Sequence, residues 1–416
     1  MPLTDFQLVA IVLTLTSGIA YLNAKVVKLP SSVGLMAIGL VGSVAIIGLD
    51  AAGVVDVSHR VRELVTQLDF GNALLHGLLG LMLFAGALHI DVADLGTERA
   101  AVALLALGGT LLSTAIVGGA TYLVLALLGH QVHWVEALLF GALISPTDPI
   151  AVLGMLKSAG APRRLDARIA GESLFNDGVG VVLFTVLLEI QAGTGATWSG
   201  ALELFAREAI GGIVFGWVTG FAVLQLLRTI DDYTVEILIT LALVVGGYAA
   251  AELIHVSAPL GAVVAGLVIG NNGRKAMSRE SKAHVEMFWK LIDEVLNAVL
   301  FLMIGLSIVL VRVSWAYAGA AALAIPIVLG ARWLAVGSVM LTLPAIRRAI
   351  PHSVKILTWG GLRGGLAIAM ALALPPMPAR ELIIVLTYTV VAFSILVQGL
   401  TFGSLLRRLG VCVKIS

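Results

Sequence analysis

The sequence predicts an all-α polytopic membrane protein of about thirteen transmembrane helices, and three observations predict it. Hydrophobic residues make up 59% of the 416 positions, charged residues only 12%, and the mean hydropathy is +1.03. No water-soluble globule of this length has such a balance. Apolar runs of about 20 residues recur between charges and turn residues along the whole chain. Ionisable residues then stand inside several of these runs, where a polar group is expensive and is a functional hypothesis by default.

The runs number thirteen, over 6–23, 29–49, 70–90, 99–128, 134–156, 169–190, 202–227, 233–254, 256–271, 288–311, 315–342, 352–374 and 380–405, and are called segments 1 to 13 below. Segment 9 is short. The first, "FQLVAIVLTLTSGIAYLN", lacks a basic leader and a small-residue cleavage site, so it reads as a retained span and not as a signal peptide. Assigning the connections alternately to two sides puts 19 of the 26 Lys and Arg on one side and 5 on the other, with Arg332 and Arg363 inside segments. The positive-inside rule then places the N-terminus outside and the C-terminus in the cytoplasm of a multi-pass cell (inner) membrane protein. The longest hydrophilic stretch, 271–290, is too short for a core of its own, so no soluble domain is appended. A net charge of +1 without a dense Lys/Arg footprint excludes nucleic acid as a partner, and Cys412, the lone cysteine, excludes an intrachain disulfide. No motif calls for a cofactor.

Segment 5 contains "SPTDPIAV", residues 145–152. Pro146 and Pro149 lack N–H groups and push the residues before them toward extended geometry, so Ser145 to Asp148 should unwind. An unwound stretch at membrane depth is tolerated only inside protein or beside a water-filled cavity. It leaves two half-helices with opposite partial charges at their facing ends, and Asp148 is placed to balance the positive one. A simple proline kink would not require the carboxylate.

Segment 6 contains "GESLFNDGVGVV", residues 171–182. Ser173 and Asp177 share one helix face at a spacing of four, and Glu172 and Asn176 share the adjacent one. Asp177 lies eight residues into a helix starting near 169, about 12 Å deep against a half-thickness of about 15 Å. With a hydroxyl beside it, Asp177 makes a compact oxygen site for a monovalent cation or a proton. Asn176 is neutral at every relevant pH and adds no second titrating charge.

Segment 12 contains "WGGLRGGLAIAMALALPP", residues 359–376, whose glycines loosen the helix around Arg363. An arginine cannot discharge and needs a permanent anion. Asp177 must cycle, so Glu172 is the expected partner and the Glu172–Arg363 pair is read as structural. Arg332 has no assignment. Segment 12 follows segment 5 by an odd offset, so the two run in opposite directions. Segments 4–6 and 11–13 are therefore expected to form inverted repeats whose broken helices cross at the midplane, the architecture of a secondary transporter.

"SPTDPIAV", "GESLFNDG", "LNAVLFLMIGL" (296–306) and "GGLRGGLAIAMAL" (360–372), in this order and spacing, resemble the monovalent cation/proton antiporters of the NhaP type. The resemblance covers essentially the whole chain. It implies a Na+/H+ antiporter fold, a homodimer, and exchange of Na+, or else Li+ or K+, for H+. It implies an ion-transporting core of residues 99–190 with 315–405, and a dimerisation part of 1–98 with 191–314. On matching positions, Asp177 resembles the cation- and proton-binding carboxylate, Ser173 and Thr147 its oxygen ligands, and Asp148 the carboxylate of the crossed unwound region. Asn176 resembles the asparagine that marks electroneutral members, and Glu172 with Arg363 the stabilising ion pair. One position departs: "LFAGALHID" has Ala85 where many relatives carry a glutamate near the ion.

His89, beside Asp91 at the end of segment 3, is the histidine nearest an ion entrance; pH sensing is its functional reading and an interfacial position its plain one. Asn297 in segment 10 is read as an interhelical hydrogen bond worth about 0.6 kcal/mol. The expected mechanism is competition of cation and proton for Asp177 under alternating access, one for one. A K+/H+ antiporter of the same fold or a cation channel would use the same polar pathway, whereas a channel would more naturally show a ring of like groups. An intramembrane hydrolase would need a base beside Ser173, and no histidine or lysine stands in these motifs.

The orientation has a direct check. In a Cys412→Ser background, His130→Cys between segments 4 and 5 should react with a membrane-impermeant maleimide added to intact cells, and Glu280→Cys should react only after lysis. The reverse pattern would invert the topology.

Overall fold

The computed structural model describes residues 4–51, 63, 67, 69–193, 198–273, 276–311, 315–344 and 350–411. Cys412 and eight of the counted basic residues, Arg60, Arg62, Arg274, Lys275, Arg312, Arg347, Arg348 and Lys414, lie outside that set. Among the described residues the chain is helical throughout and forms no β-strand; extended pairing is confined to a single bridge between Asp148 and Leu362.

Ten of the thirteen predicted segments are helices long and apolar enough to cross a membrane: Asp5–Val27, Ser31–Asp50, Phe70–Leu88, Leu95–Leu127, Arg163–Gln191, Ser199–Leu227, Tyr233–Leu253, Arg279–Leu310, Ala318–Thr342 and Arg380–Arg408. The other three are shorter. Segment 9 is Ala258–Asn272, segment 5 is split into Trp134–Ile144 and Ile150–Ser158, and segment 12 into Ser353–Trp359 and Gly365–Leu372. Polar caps start many of these helices: Ser257 accepts from Leu260 N–H, Ser278 from Ser281 N–H and Asp232 from Thr234 N–H. Helix 134–144 begins with a capping box in which Glu136, itself buried, accepts from the backbone of His133.

The distribution of side chains is inverted relative to a water-soluble protein. Phe6, Trp217, Leu253 and Leu341 are largely exposed, while Arg168, Glu172, Asn176 and Arg363 are at most 2% exposed. Apolar surface outside and ionisable groups inside is the arrangement a lipid surround demands, so the chain is a multi-pass membrane protein.

Close helix packing depends on small residues. A Cβ on Gly216 would lie 2.2 Å from the Gly261 carbonyl oxygen, and one on Gly305 would lie 2.8 Å from the Met36 carbonyl oxygen. Helices 199–227 and 258–272, and helices 31–50 and 279–310, therefore meet backbone to backbone. Segments 4 and 13, which flank the broken ones in sequence, each carry a π-helical turn, at Leu104–Gly109 and Ser394–Gly399. The broken helices lie in the interior among these elements, with Leu139, Phe140, Leu143, Ile368, Ala369 and Met370 fully buried.

Candidate functional site

Segment 5 stops being helical at Ser145 and resumes at Ile150, and segment 12 is interrupted over 360–364. The two interruptions cross. Asp148 N–H donates to the Leu362 carbonyl at 2.8 Å, an antiparallel bridge between two stretches that have each lost their own helical partners. Prolines explain the first break, because neither Pro146 nor Pro149 can supply a helical donor. Glycines explain the second through space as well as flexibility: a Cβ on Gly364 would sit 2.3 Å from the Asp148 Oδ2, so only glycine lets the carboxylate lie against that backbone.

The remaining backbone groups of segment 5 are met by side chains from segment 6. Asn176 Oδ1 accepts from Thr147 N–H at 3.2 Å, and Asn176 Nδ2 donates to Thr147 Oγ1 at 2.9 Å. Thr147 Oγ1 and Ser173 Oγ are 3.0 Å apart. Thr147, Ser173 and Asn176 are all buried, so each polar atom is worth most where it has a partner. Asp148 Oδ1 accepts from Ile150 N–H at 2.9 Å, setting a negative charge at the positive start of the half-helix 150–158.

Asp177 lies next to this cluster on the wall of a cavity of about 540 Å³ that also reaches Asp148, Thr147 and His89. Its carboxylate has no hydrogen-bond partner among the described residues. Lys157, Arg163 and Lys290, residues of the side on which the sequence collects its basic residues, line the same cavity, which is large enough to hold water. Asp91, Asp293 and Glu294 line the same cavity and give its wall a surplus of negative groups that favours cations.

The arginines are arranged differently from the expectation. The salt bridge of Glu172 is made by Arg332, Nη1 to Oε1, with both side chains buried. Arg332 Nε and Nη2 also donate to the Leu357 carbonyl, each at 3.3 Å. Arg363, predicted to hold Glu172, instead donates through Nη1 to the carbonyls of Ser145 and, at 2.9 Å, of Pro146. Those carbonyls close the half-helix 134–144, whose negative end the guanidinium neutralises. Glu172 and Arg332 both remain within electrostatic range of Arg363. The correction has a physical reason: Arg332 projects from segment 11 toward segment 6, a neighbourhood that spacing along the chain cannot report.

Several other residues take places that the sequence did not disclose. Arg168, counted with the cytoplasmic loops, is fully buried and donates to Glu98 Oε2 through Nε at 2.9 Å and Nη2 at 2.6 Å. Ser145 Oγ donates to the Gly141 carbonyl at 2.7 Å and lies 3.0 Å from Ser113 Oγ. Asn297 bonds within its own helix, donating to the Asp293 carbonyl and to Asp293 Oδ1, so the interhelical bond expected of it is not formed. His89 lines the cavity and donates from Nδ1 to the Ala85 carbonyl at 2.7 Å, which fixes the proton on that nitrogen when the ring is neutral. Ala85 itself is fully buried. His284 stacks on Tyr233, with ring centroids 4.4 Å apart.

Breaking a buried pair leaves an uncompensated charge and costs about 3–5 kcal/mol. Glu172→Gln and Arg332→Gln should therefore each lower the melting temperature in detergent markedly, and the double variant should recover a large part of the loss. Recovery with Arg363→Gln and none with Arg332→Gln would show that Arg363 is the partner after all.

The model of the sodium/hydrogen exchanger transmembrane family matches residues 11–408. The chain is 49% identical over 409 residues to the Na(+)/H(+) antiporter NhaP of Pseudomonas aeruginosa, covering 97% of this chain and 96% of that one. It is 36% identical over 395 residues to the Na(+)/H(+) antiporter NhaH of Halobacillus dabanensis, covering 93% and 94%. Among solved structures, the sodium proton antiporter MjNhaP1 from Methanocaldococcus jannaschii at pH 8 matches with a TM-score of 0.75 over 96% of this chain and 97% of that one, a likeness of fold at 18% identity. Two crossed, broken helices around an intramembrane carboxylate, over a match that runs nearly from end to end, place this chain in the sodium/hydrogen exchanger family.

Proposed function

We propose that the protein exchanges Na+ for H+ across a membrane by competition of the two ions for Asp177. Family membership and the named relatives support Na+/H+ exchange, and they favour neither the K+/H+ nor the channel alternative. The observation that carries the reading is the position of Asp177: an unpartnered carboxylate on the wall of a cavity large enough to hold water, beside the crossing of the two unwound stretches. A group committed to structure would be paired, as Glu172 and Glu98 are.

In the proposed cycle Asp177 releases its proton into the cavity and takes a partly dehydrated cation. Thr147 on the cavity wall and the buried Ser173, whose hydroxyls already converge, supply oxygens, and Asp148 contributes the field of a second carboxylate. Asn176 stays neutral and holds Thr147. Movement of the core, residues 99–190 with 315–405, against the remaining segments then exposes the site on the other side. Coupling follows from electrostatics, because the empty, charged carboxylate is too costly to carry through the apolar layer. One titrating carboxylate gives one cation per proton and no net charge movement.

The Lys/Arg asymmetry supports a cavity that faces the cytoplasm in this conformation, in the cell (inner) membrane. His89, on the cavity wall, is a candidate for the group through which cytoplasmic pH modulates entry. Segment 7 exposes Ile210, Val214, Trp217, Val218 and Phe221, apolar surface for lipid or for the second copy of a homodimer. Lys-reactive cross-linking in the membrane should yield a dimer band, and a monomer alone would remove that part of the proposal.

Proteoliposomes with an internal pH-sensitive dye test the exchange itself. Wild type should move protons when Na+ is added, Asp177→Asn should fall to the protein-free background, and clamping the membrane potential should leave the wild-type rate unchanged. Half-saturating Na+ should rise as pH falls, since protons occupy the same carboxylate. A rate that follows the potential would defeat the one-for-one stoichiometry, and full activity in Asp177→Asn would move the ion site elsewhere.

A further inference from the structure

The second unwound stretch has a support that the cycle above leaves unused. Segment 13 is α-helical over Arg380–Phe393 and over Leu400–Arg408, but Ser394–Gly399 between them wind as a π-helix. Such turns occur mostly as single bulges inside α-helices, frequently at functional sites, and the described residues contain three others, at Asn23–Val27, Leu74–Leu78 and Leu104–Gly109. This one presents two buried side chains to the break in segment 12. Ser394 Oγ accepts from Arg363 N–H at 2.9 Å, and Gln398 Nε2 donates to the Trp359 carbonyl at 3.1 Å. Trp359 ends the half-helix 353–359, so its carbonyl and the Arg363 N–H are among the groups the break leaves without helical partners. Ser394 is fully buried.

The crossing is held in the same way on its other side. Thr147 precedes Asp148, one partner of the bridge, and its N–H is taken by Asn176 from the next segment along the chain. Arg363 follows Leu362, the other partner, and its N–H is taken by Ser394, again from the next segment. Segments 6 and 13 are the positions that the inverted pairing of 4–6 with 11–13 makes equivalent.

We propose that Ser394 is the positioning residue of the second unwound stretch, the counterpart of Asn176 in the first. Its oxygen fixes the Arg363 N–H. The neighbouring Leu362 carbonyl, bonded to Asp148 N–H, passes that position to Asp148 and Thr147 beside the cation site. Ser394 touches no ion. The inference rests on Asp177 being the ion site, and it predicts a change in affinity at Asp177 from a residue on another helix.

Ser394→Ala, Ser394→Thr and Asp177→Asn are compared with wild type in the same proteoliposomes, at equal amounts of monodisperse protein. Loss of one hydrogen bond of ordinary net strength corresponds to a rise of about three- to tenfold in half-saturating Na+ for Ser394→Ala. Ser394→Thr keeps the acceptor and should restore most of it. Hydrogen exchange at 145–149 and 360–364, read on the same samples, should accelerate in Ser394→Ala even at saturating Na+. Wild-type half-saturation with unchanged exchange protection overturns the proposal, as does a threonine variant equal to the alanine one. If Ser394→Ala does not fold, Ser394→Cys, a weaker acceptor, takes the same two measurements. Activity in Asp177→Asn would instead refute the ion-site reading, and the exchange protection at 145–149 would then decide alone whether Ser394 positions the crossing.

Discussion

A peptide group with no partner in an apolar layer costs several kcal/mol, and most of the interior of this protein is arranged to avoid that cost where two helices are deliberately broken. The break in segment 5 frees carbonyls at Ser145 and Pro146 and the N–H groups of Thr147 and Asp148. Each finds a partner from another segment: Arg363 for the carbonyls, Asn176 for Thr147, the Leu362 carbonyl for Asp148. In segment 12 the Arg363 N–H and the Trp359 carbonyl are met by Ser394 and Gln398. The two breaks satisfy each other in part and borrow the rest from segments 6 and 13. Neither could exist alone at that depth, and their crossing is what brings polar oxygens and a carboxylate together in the middle of the molecule.

Charge follows the same logic with larger energies. Glu172, Arg332 and Arg363 form a group whose one anion is paired with Arg332, while Arg363 is stabilised by the carbonyl end of a half-helix. A helix terminus thus does the work of a counter-ion, at a strength that suits a desolvated site. The pair Glu98 and Arg168 fastens the starts of segments 4 and 6 in the same manner. These fixed charges leave Asp177 and Asp148 as the carboxylates of the cavity's inner end that no cation of the protein neutralises by a salt bridge among the described residues. In the proposed cycle a mobile cation or a proton does it, and that is the physical content of exchange.

Ala85 is fully buried, and its carbonyl orients His89, one turn further along on the cavity wall. The cavity takes its negative groups from other elements, Asp91 and Asp293 among them. Segment 10 contributes through Asn297, which braces the carboxylate of Asp293 within its own helix instead of linking helices.

Fold class, the two breaks and the central carboxylate were legible in the sequence, because each has a local cause. Hydropathy marks the long helices, Pro146 and Pro149 unwind segment 5, glycines around Arg363 open segment 12, and a spacing of four sets Ser173 beside Asp177. Which groups meet across the breaks was decided by tertiary structure alone. Glu172 was expected to pair with Arg363 in segment 12, while Arg332 in segment 11, which holds it, had no assignment, and Arg168 looked like a loop residue until Glu98 was packed against it. Ser394 carried no signal at all, since one serine in an apolar helix has no periodicity to betray it. Propensity and pattern report what a residue does to its own segment, whereas partnership depends on how separate helices pack, 31 residues apart for Arg363 and Ser394 and 160 for Glu172 and Arg332.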